Sequence, residues 1–244
     1  MKSMLILVLW TFLSLVGVLA ADTAIAPATV GSRHAVLLGI DGLRADSLVA
    51  ATTPHLDAIM KSGAHTLKAV SSTGQPTVSG PSWSSILTGV WFNKHGVRDN
   101  EFVGQRFAEY PSFLVRVKKL LPGAITASIV NWAPINEHIP NLVDVEKRGI
   151  ADAEVTAEAA RLIVEKGPHA MFIQLDELDG AGHRGGYHPG NPDYLTMVAT
   201  VDRYVGTVLA AVADRKTAHP DEQWLVIIVS DHGGTPDGTP GGQT

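Results

Sequence analysis

The chain has 244 residues, a formal charge of −5, 45% hydrophobic residues and no cysteine. That length suits one sizeable core rather than two domains, and mild acidity without a basic run argues against a nucleic-acid surface. With no cysteine, disulfides, thiolate zinc sites and a cysteine nucleophile are all excluded, so any metal must sit on carboxylates, imidazoles and hydroxyls.

In chain order, Lys2 and the apolar run "MLILVLWTFLSLVGVLA" precede Ala21, with small residues in "VLA" at the cleavage positions. This pattern predicts a signal peptide over 1–20 and export to a secreted or periplasmic location, with no stable membrane span after cleavage. An uncleaved anchor is the alternative, since the run approaches spanning length. A polar leader follows over 21–32, and 33–244 forms the folded domain.

Four short apolar runs read as strands covered on both faces: "HAVLLGI" (34–40), "AITASIV" (124–130), "AMFIQL" (170–175) and "WLVIIVS" (224–230). "HTLKAV" (65–70) is a fifth candidate. Helical patterns lie at 53–62, 81–88, 111–121, 152–166 and 192–214. The last is capped by Asn191, opens on Pro192 and carries a core stripe from Tyr194 to Val212. Strands alternating with helices predict an α/β fold, a doubly wound, mostly parallel sheet with helices on both faces.

Polar groups follow each of the four runs: Asp41, then Asn131, then Asp176 and Asp179, then Asp231 with His232. In open α/β sheets the ligand crevice lies beyond the carboxyl ends of the strands. Acids gathered there repel one another unless a cation sits among them, so a metal is the natural inference. "DGAGH" suggests a glycine-rich turn folding Asp179 and His183 onto one ion. "SDHGG" sets Asp231 and His232 side by side past a buried strand. Carboxylate and imidazole together form a hydrolytic zinc set.

The stretch "TVSGPSWSSILTG" (77–89) places Pro81 as a first helical residue and Gly89 as a stop. Ser79 then lies just outside the helix, beside its unpaired N–H groups, as a nucleophile activated by metal. Ser82 could touch a phosphoryl group or cap the helix. Ser84, Ser85 and Thr88 read as solvent-facing or back-bonding hydroxyls. Trp83 and Trp91 read as packing, with stacking on a nucleobase the alternative.

These residues resemble the alkaline phosphatase superfamily, and within it the type I phosphodiesterase/nucleotide pyrophosphatase branch. The likeness runs through "LLGIDGLRADSL", the segment from "TPHLDAIM" to "KHGV", "DELDGAGH" and "VSDHGG". It implies an alkaline phosphatase-like fold and two divalent ions, taken as Zn²⁺. Asp41, Ser79, Asp231 and His232 would surround one ion, and Asp179 and His183 would hold the other. The implied mechanism hydrolyses a small phosphate-ester substrate through a covalent phospho-enzyme on Ser79.

Three departures accompany the resemblance. Where the branch has a phosphate-contacting asparagine three residues after the nucleophile, this chain has Ser82, with Asn131 as a possible substitute. Where sulfatases carry an arginine four residues on, it has Trp83. After "VSDHGG" relatives continue with a further histidine ligand and more sheet, whereas here "TPDGTPGGQT" follows, so the C-terminal part is expected to be missing. A non-catalytic metal- or phosphate-binding remnant, and a sulfatase-like hydrolase of the same superfamily, stand as alternatives. An α/β-hydrolase serine enzyme does not, because "GPSWS" lacks the final glycine of the nucleophile elbow.

Overall fold

A computed structural model of the protein describes residues 33–70, 74–140 and 142–239. The expected signal peptide and leader lie outside the described residues.

The described residues form one five-stranded sheet in the order β3-β2-β4-β1-β5, and every pairing in it is parallel. The strands are β1 (Arg33–Ile40), β2 (Thr126–Val130), β3 (Val145–Arg148), β4 (Ala170–Leu175) and β5 (Gln223–Ser230). Interior strand β1 aligns Ile40 with Leu175 of β4 on one side and with Ser230 of β5 on the other. Their carboxyl ends therefore finish level, and the residues that follow share one rim.

Alternation along the strands splits the core into two layers. Met171, Ile173 and Leu175 of β4, with Val36, Leu38 and Ile40 of β1, pack under α1 (Ala45–Ala50), α2 (Pro54–Ser62), α7 (Asp152–Lys166), α8 (Glu177–Gly185) and α9 (Pro192–Ala218). Ala170 and Phe172 point the other way, against α3 (Ser79–Thr88), α5 (Phe113–Leu120) and α6 (Pro134–His138). A short turn of helix, α4 (Phe92–His95), closes that layer. Helices on both faces of a parallel sheet are the doubly wound arrangement expected.

Asn191 caps α9 by accepting from the N–H groups of Asp193 and Tyr194. This helix is long and apolar enough to cross a membrane by composition alone. Its stripe from Tyr194 to Val212 is instead buried in the sheet core.

Three expectations change. Residues 65–70 form no strand: the segment is exposed throughout, Val70 at 67%, and pairs with nothing in the sheet. The fifth strand is β3, "VEKR", a polar edge strand with no apolar run to reveal it. "DGAGH" is not a turn but part of α8. Gly182 serves packing there, because a Cβ would run into the ring of Tyr187.

At the sheet edge opposite β3, β5 pairs on one side alone among the described residues. Leu225 and Ile227 on one of its faces are 58% and 44% exposed.

Candidate metal and nucleophile site

Three segments far apart in sequence deliver the central group. β1 ends at Ile40 just before Asp41, β5 ends before Asp231 and His232, and α3 begins at Ser79. Ser79 is the first residue of that helix rather than the residue before it, which moves Pro81 into the first turn. Proline is tolerated there because first-turn N–H groups have no helical partner. Gly89 ends α3 in the left-handed conformation, as expected of a stop.

The Ser79 hydroxyl lies 3.4 Å from Asp41 Oδ1 and 3.2 Å from His232 Nε2. His232 Nε2 also lies 3.3 Å from Asp41 Oδ1 and 3.4 Å from Asp231 Oδ2. His232 Nδ1 contacts the Gly233 carbonyl at 2.7 Å. A carbonyl only accepts, so Nδ1 carries the proton, and in the neutral ring Nε2 turns a bare lone pair toward two carboxylates. Asp231 Oδ1 accepts from the N–H groups of Gly42 and His232, while its buried Oδ2 has no hydrogen-bond partner.

Asp41, Asp231 and His232 are all buried. Burial and then Asp231 push the Asp41 carboxyl well above its usual range, and burial does the same to Asp231. Lone pairs facing lone pairs in a dry corner, with one carboxylate oxygen orphaned, are the donor set of a divalent cation. The three residues fit such an ion with Ser79 beside it.

A second pair sits next to it on α8. Asp179 and His183 occupy positions four apart, so both project from one helix face. His183 Nε2 lies 3.1 Å from Asp179 Oδ2, and Tyr187 donates its hydroxyl to Asp179 Oδ1 at 2.6 Å. Gly42 permits the approach to the first group, since a Cβ there would meet Asp179 Oδ1 at 2.7 Å. His183 is 46% exposed and its Nδ1 contacts the Gly238 carbonyl. His188, the nearest other histidine in sequence, accepts from Gly190 N–H as a loop residue.

Arg44 ties together the loops that follow β1 and β5. Its guanidinium donates to the Gly234 carbonyl, and its own N–H donates to the Tyr194 hydroxyl, which in turn donates to the Gly42 carbonyl.

The remaining site candidates fare differently. Asn131 spends its amide on Asp152 Oδ1, bracing the start of α7. Ser82 is buried in the first turn of α3 with an unpartnered hydroxyl. Asp176 accepts from Gln174, and burial lifts its carboxyl to about 6. Ser84 and Thr88 do back-bond, to Gly80 and Ser84. Ser85 is a link in a buried chain instead: His95 donates to it and it donates to Gln75, on the segment leading to Ser79.

The helix start is also less open to anions than expected. Pro81 has no N–H, and that of Gly80 donates to Asn100 Oδ1 at 2.7 Å. Asn100 was not singled out in the sequence. Its Oδ1 is anchored by that bond to Gly80, the residue after Ser79. Trp83 and Gln174 were missed as well: both donate to Asp41. A glycine at position 39 in mid-strand was the available signal, because such a glycine marks a close approach.

The family model described as type I phosphodiesterase/nucleotide pyrophosphatase matches residues 35–132 and 122–237. Ectonucleotide pyrophosphatase/phosphodiesterase family member 1 of Mus musculus is 24% identical over 236 residues, covering 87% of this chain and 25% of the relative. Family member 7 of Homo sapiens is 25% identical over 242 residues, covering 84% of this chain and 49% of the relative. A solved structure of murine ectonucleotide pyrophosphatase/phosphodiesterase 5, an inactive form in complex with AMP, matches with a TM-score of 0.65 at 21% identity. That match covers 83% of this chain and 57% of the murine one, and it is a likeness of fold. The chain thus spans a quarter to a half of the length of these two curated relatives.

Proposed function

Because the chain belongs to the type I phosphodiesterase/nucleotide pyrophosphatase family, we propose that it is a metal-dependent hydrolase of phosphoric esters, acting as a phosphodiesterase or nucleotide pyrophosphatase through Ser79. The observation that carries this reading is the placement of the Ser79 hydroxyl within 3.4 Å of both Asp41 and His232, at a helix start.

Asp41, Asp231 and His232 would hold the first divalent ion, and Asp179 with His183 would hold the second, both read as Zn²⁺. When bound, the ions lower the pKa of the serine hydroxyl and screen the charge that builds up on the phosphoryl oxygens. Ser79 Oγ bonds phosphorus as the ester oxygen departs, and water then releases the phosphoryl group from the serine. Asn100 offers its –NH₂ group to a phosphoryl oxygen, a part given in sequence terms to Ser82 and Asn131.

The murine neighbour's complex with AMP supports a small nucleotide-like ester as substrate. Export through residues 1–20 agrees with the "ecto" prefix of the relatives. A sulfatase-like activity is disfavoured, because Trp83 stands in the arginine position and its indole is bonded to Asp41.

One observation favours a second reading, a metal- or phosphate-binding protein without turnover. The second pair offers two protein ligands, and Tyr187 already engages one oxygen of Asp179. Both readings are tested with bis(p-nitrophenyl) phosphate, p-nitrophenyl phosphate and p-nitrophenyl sulfate in added zinc. Diester turnover that falls to background in Ser79→Ala, with metal binding retained, is the expected result. Turnover surviving that substitution removes Ser79 from the mechanism, and a zinc-loaded protein inert on all three esters favours the second reading.

A further inference from the structure

The Asp41 carboxylate is held by two side chains that the phosphoryl chemistry does not require. Trp83 is fully buried and donates its indole N–H to Asp41 Oδ2 at 2.8 Å. Gln174, paired with Gly39 across β4 and β1, donates to the same oxygen at 3.1 Å. Its orientation is fixed from the other end, because Gln174 Oε1 accepts the Trp132 N–H at 2.9 Å. The second amide hydrogen goes to Asp176 Oδ1. Oδ2 is thus saturated by two donors, and Oδ1 is the atom turned toward Ser79 and His232.

The fold is adapted to this arrangement. A Cβ on Gly39 would run into the six-membered ring of Trp83, so the strand carries glycine in its interior despite the conformational cost. On the other side Phe172 meets the indole edge-on, with centroids 5.7 Å apart. The ring has one place to lie, and in it the N–H reaches one acceptor. Both donors are neutral. They stabilise a buried carboxylate without supplying the positive charge that would compete with a cation.

We propose that Trp83 and Gln174 are positioning residues that make Asp41 a one-oxygen ligand, and that they thereby favour a small, four-coordinate ion such as Zn²⁺ over a larger one such as Ca²⁺. This rests on the metal-site reading above. Zn²⁺ takes four ligands at short distances, whereas Ca²⁺ takes six to eight oxygens and readily uses both oxygens of a carboxylate. Blocking Oδ2 removes that second oxygen.

The test is metal affinity without substrate, read by competition with a chromophoric chelator for Zn²⁺ and by calorimetry for Ca²⁺. Trp83→Phe keeps an aromatic ring and removes the N–H; Gln174→Met keeps the length and removes the amide. Each is expected to lower Zn²⁺ affinity by about 10–100-fold, the range typical of lost outer-shell partners. Ca²⁺ affinity is expected to hold or rise. Should Trp83→Phe fail to fold, Gln174→Met decides alone. Unchanged Zn²⁺ affinity, or a parallel loss of both ions, overturns the proposal while leaving the metal site standing. An unsubstituted protein that binds neither ion overturns the metal-site reading itself.

Discussion

The two ligand groups are neighbours built in opposite ways. Asp41, Asp231 and His232 come from the ends of two adjacent strands and are buried; Trp83 and Gln174 hold the Asp41 carboxylate, and Arg44 and Tyr194 brace the neighbouring Gly42 and Gly234 backbone. Asp179 and His183 come from two turns of one helix, and the histidine is half in solvent. The first group exists only when the sheet is assembled. The second needs little more than a helix. A site positioned by a packed sheet is held tightly and has a large electrostatic penalty to relieve, so cation binding there is expected to be strong. A pair on one exposed helix face has neither property.

Removing a ligand from each group tests this contrast. Asp231→Asn keeps the oxygen that accepts from Gly42 and His232 and neutralises the orphaned one. It is expected to abolish measurable Zn²⁺ binding at the first group, a larger loss than removing an outer partner causes. The same variant is expected to melt higher than the unsubstituted protein when both are stripped with chelator, because one buried, repelled charge is gone. A lower melting temperature in chelator would mean that the corner is not under electrostatic stress.

His183→Ala is expected to remove the weaker of two binding events and to weaken the stronger much less than Asp231→Asn does. Loss of both events together would make the two groups a single binuclear unit and erase the contrast.

The smallest effect concerns the support beneath Ser79. His95 Nδ1 accepts the Val97 N–H, so its proton sits on Nε2 and is donated to Ser85, and Ser85 reaches Gln75. Burial, aided by Arg106, lowers the His95 pKa from 6.5 to about 4. The unfolded chain therefore takes up this proton near pH 6.5, and the folded chain only near pH 4. The stability His95 confers is complete above pH 6.5 and is lost as pH falls from there toward 4. In His95→Gln that share of the acid sensitivity is expected to vanish. Thermal melts between pH 7 and 4 should show a shallower decline, by a few degrees, than in the unsubstituted protein. Parallel declines would place the acid sensitivity elsewhere.

Much of this was legible in the sequence, for identifiable reasons. β1, β2 and β4 announce themselves because strands covered on both faces are continuous in apolar residues; β5 shows the same apolar run although one of its faces is exposed. The acids beyond them could be placed on one rim because parallel strands end together. What escaped was information carried by side-chain partners rather than by pattern. "VEKR" pairs with β2 through its backbone and shows nothing apolar. Gly180 and Gly182 suggested a turn, yet Gly182 is there to admit Tyr187. Trp83 reads as any core tryptophan until its N–H is followed to Asp41. Asn100 lies twenty-one residues beyond Ser79 and meets it through the Gly80 amide, a contact with no periodicity.

Among the described residues, the strand that delivers Asp231 and His232 pairs on one side alone. β5 is eight residues long, carries no charge and no proline, and shows Leu225 and Ile227 to water. Such a border is a template for intermolecular strand addition. A strand that adds to this flank, whatever its source, would bear on Asp231 and His232, which follow directly on β5. What pairs with the outer side of β5 and how Asp231 and His232 are set are therefore properties of one strand.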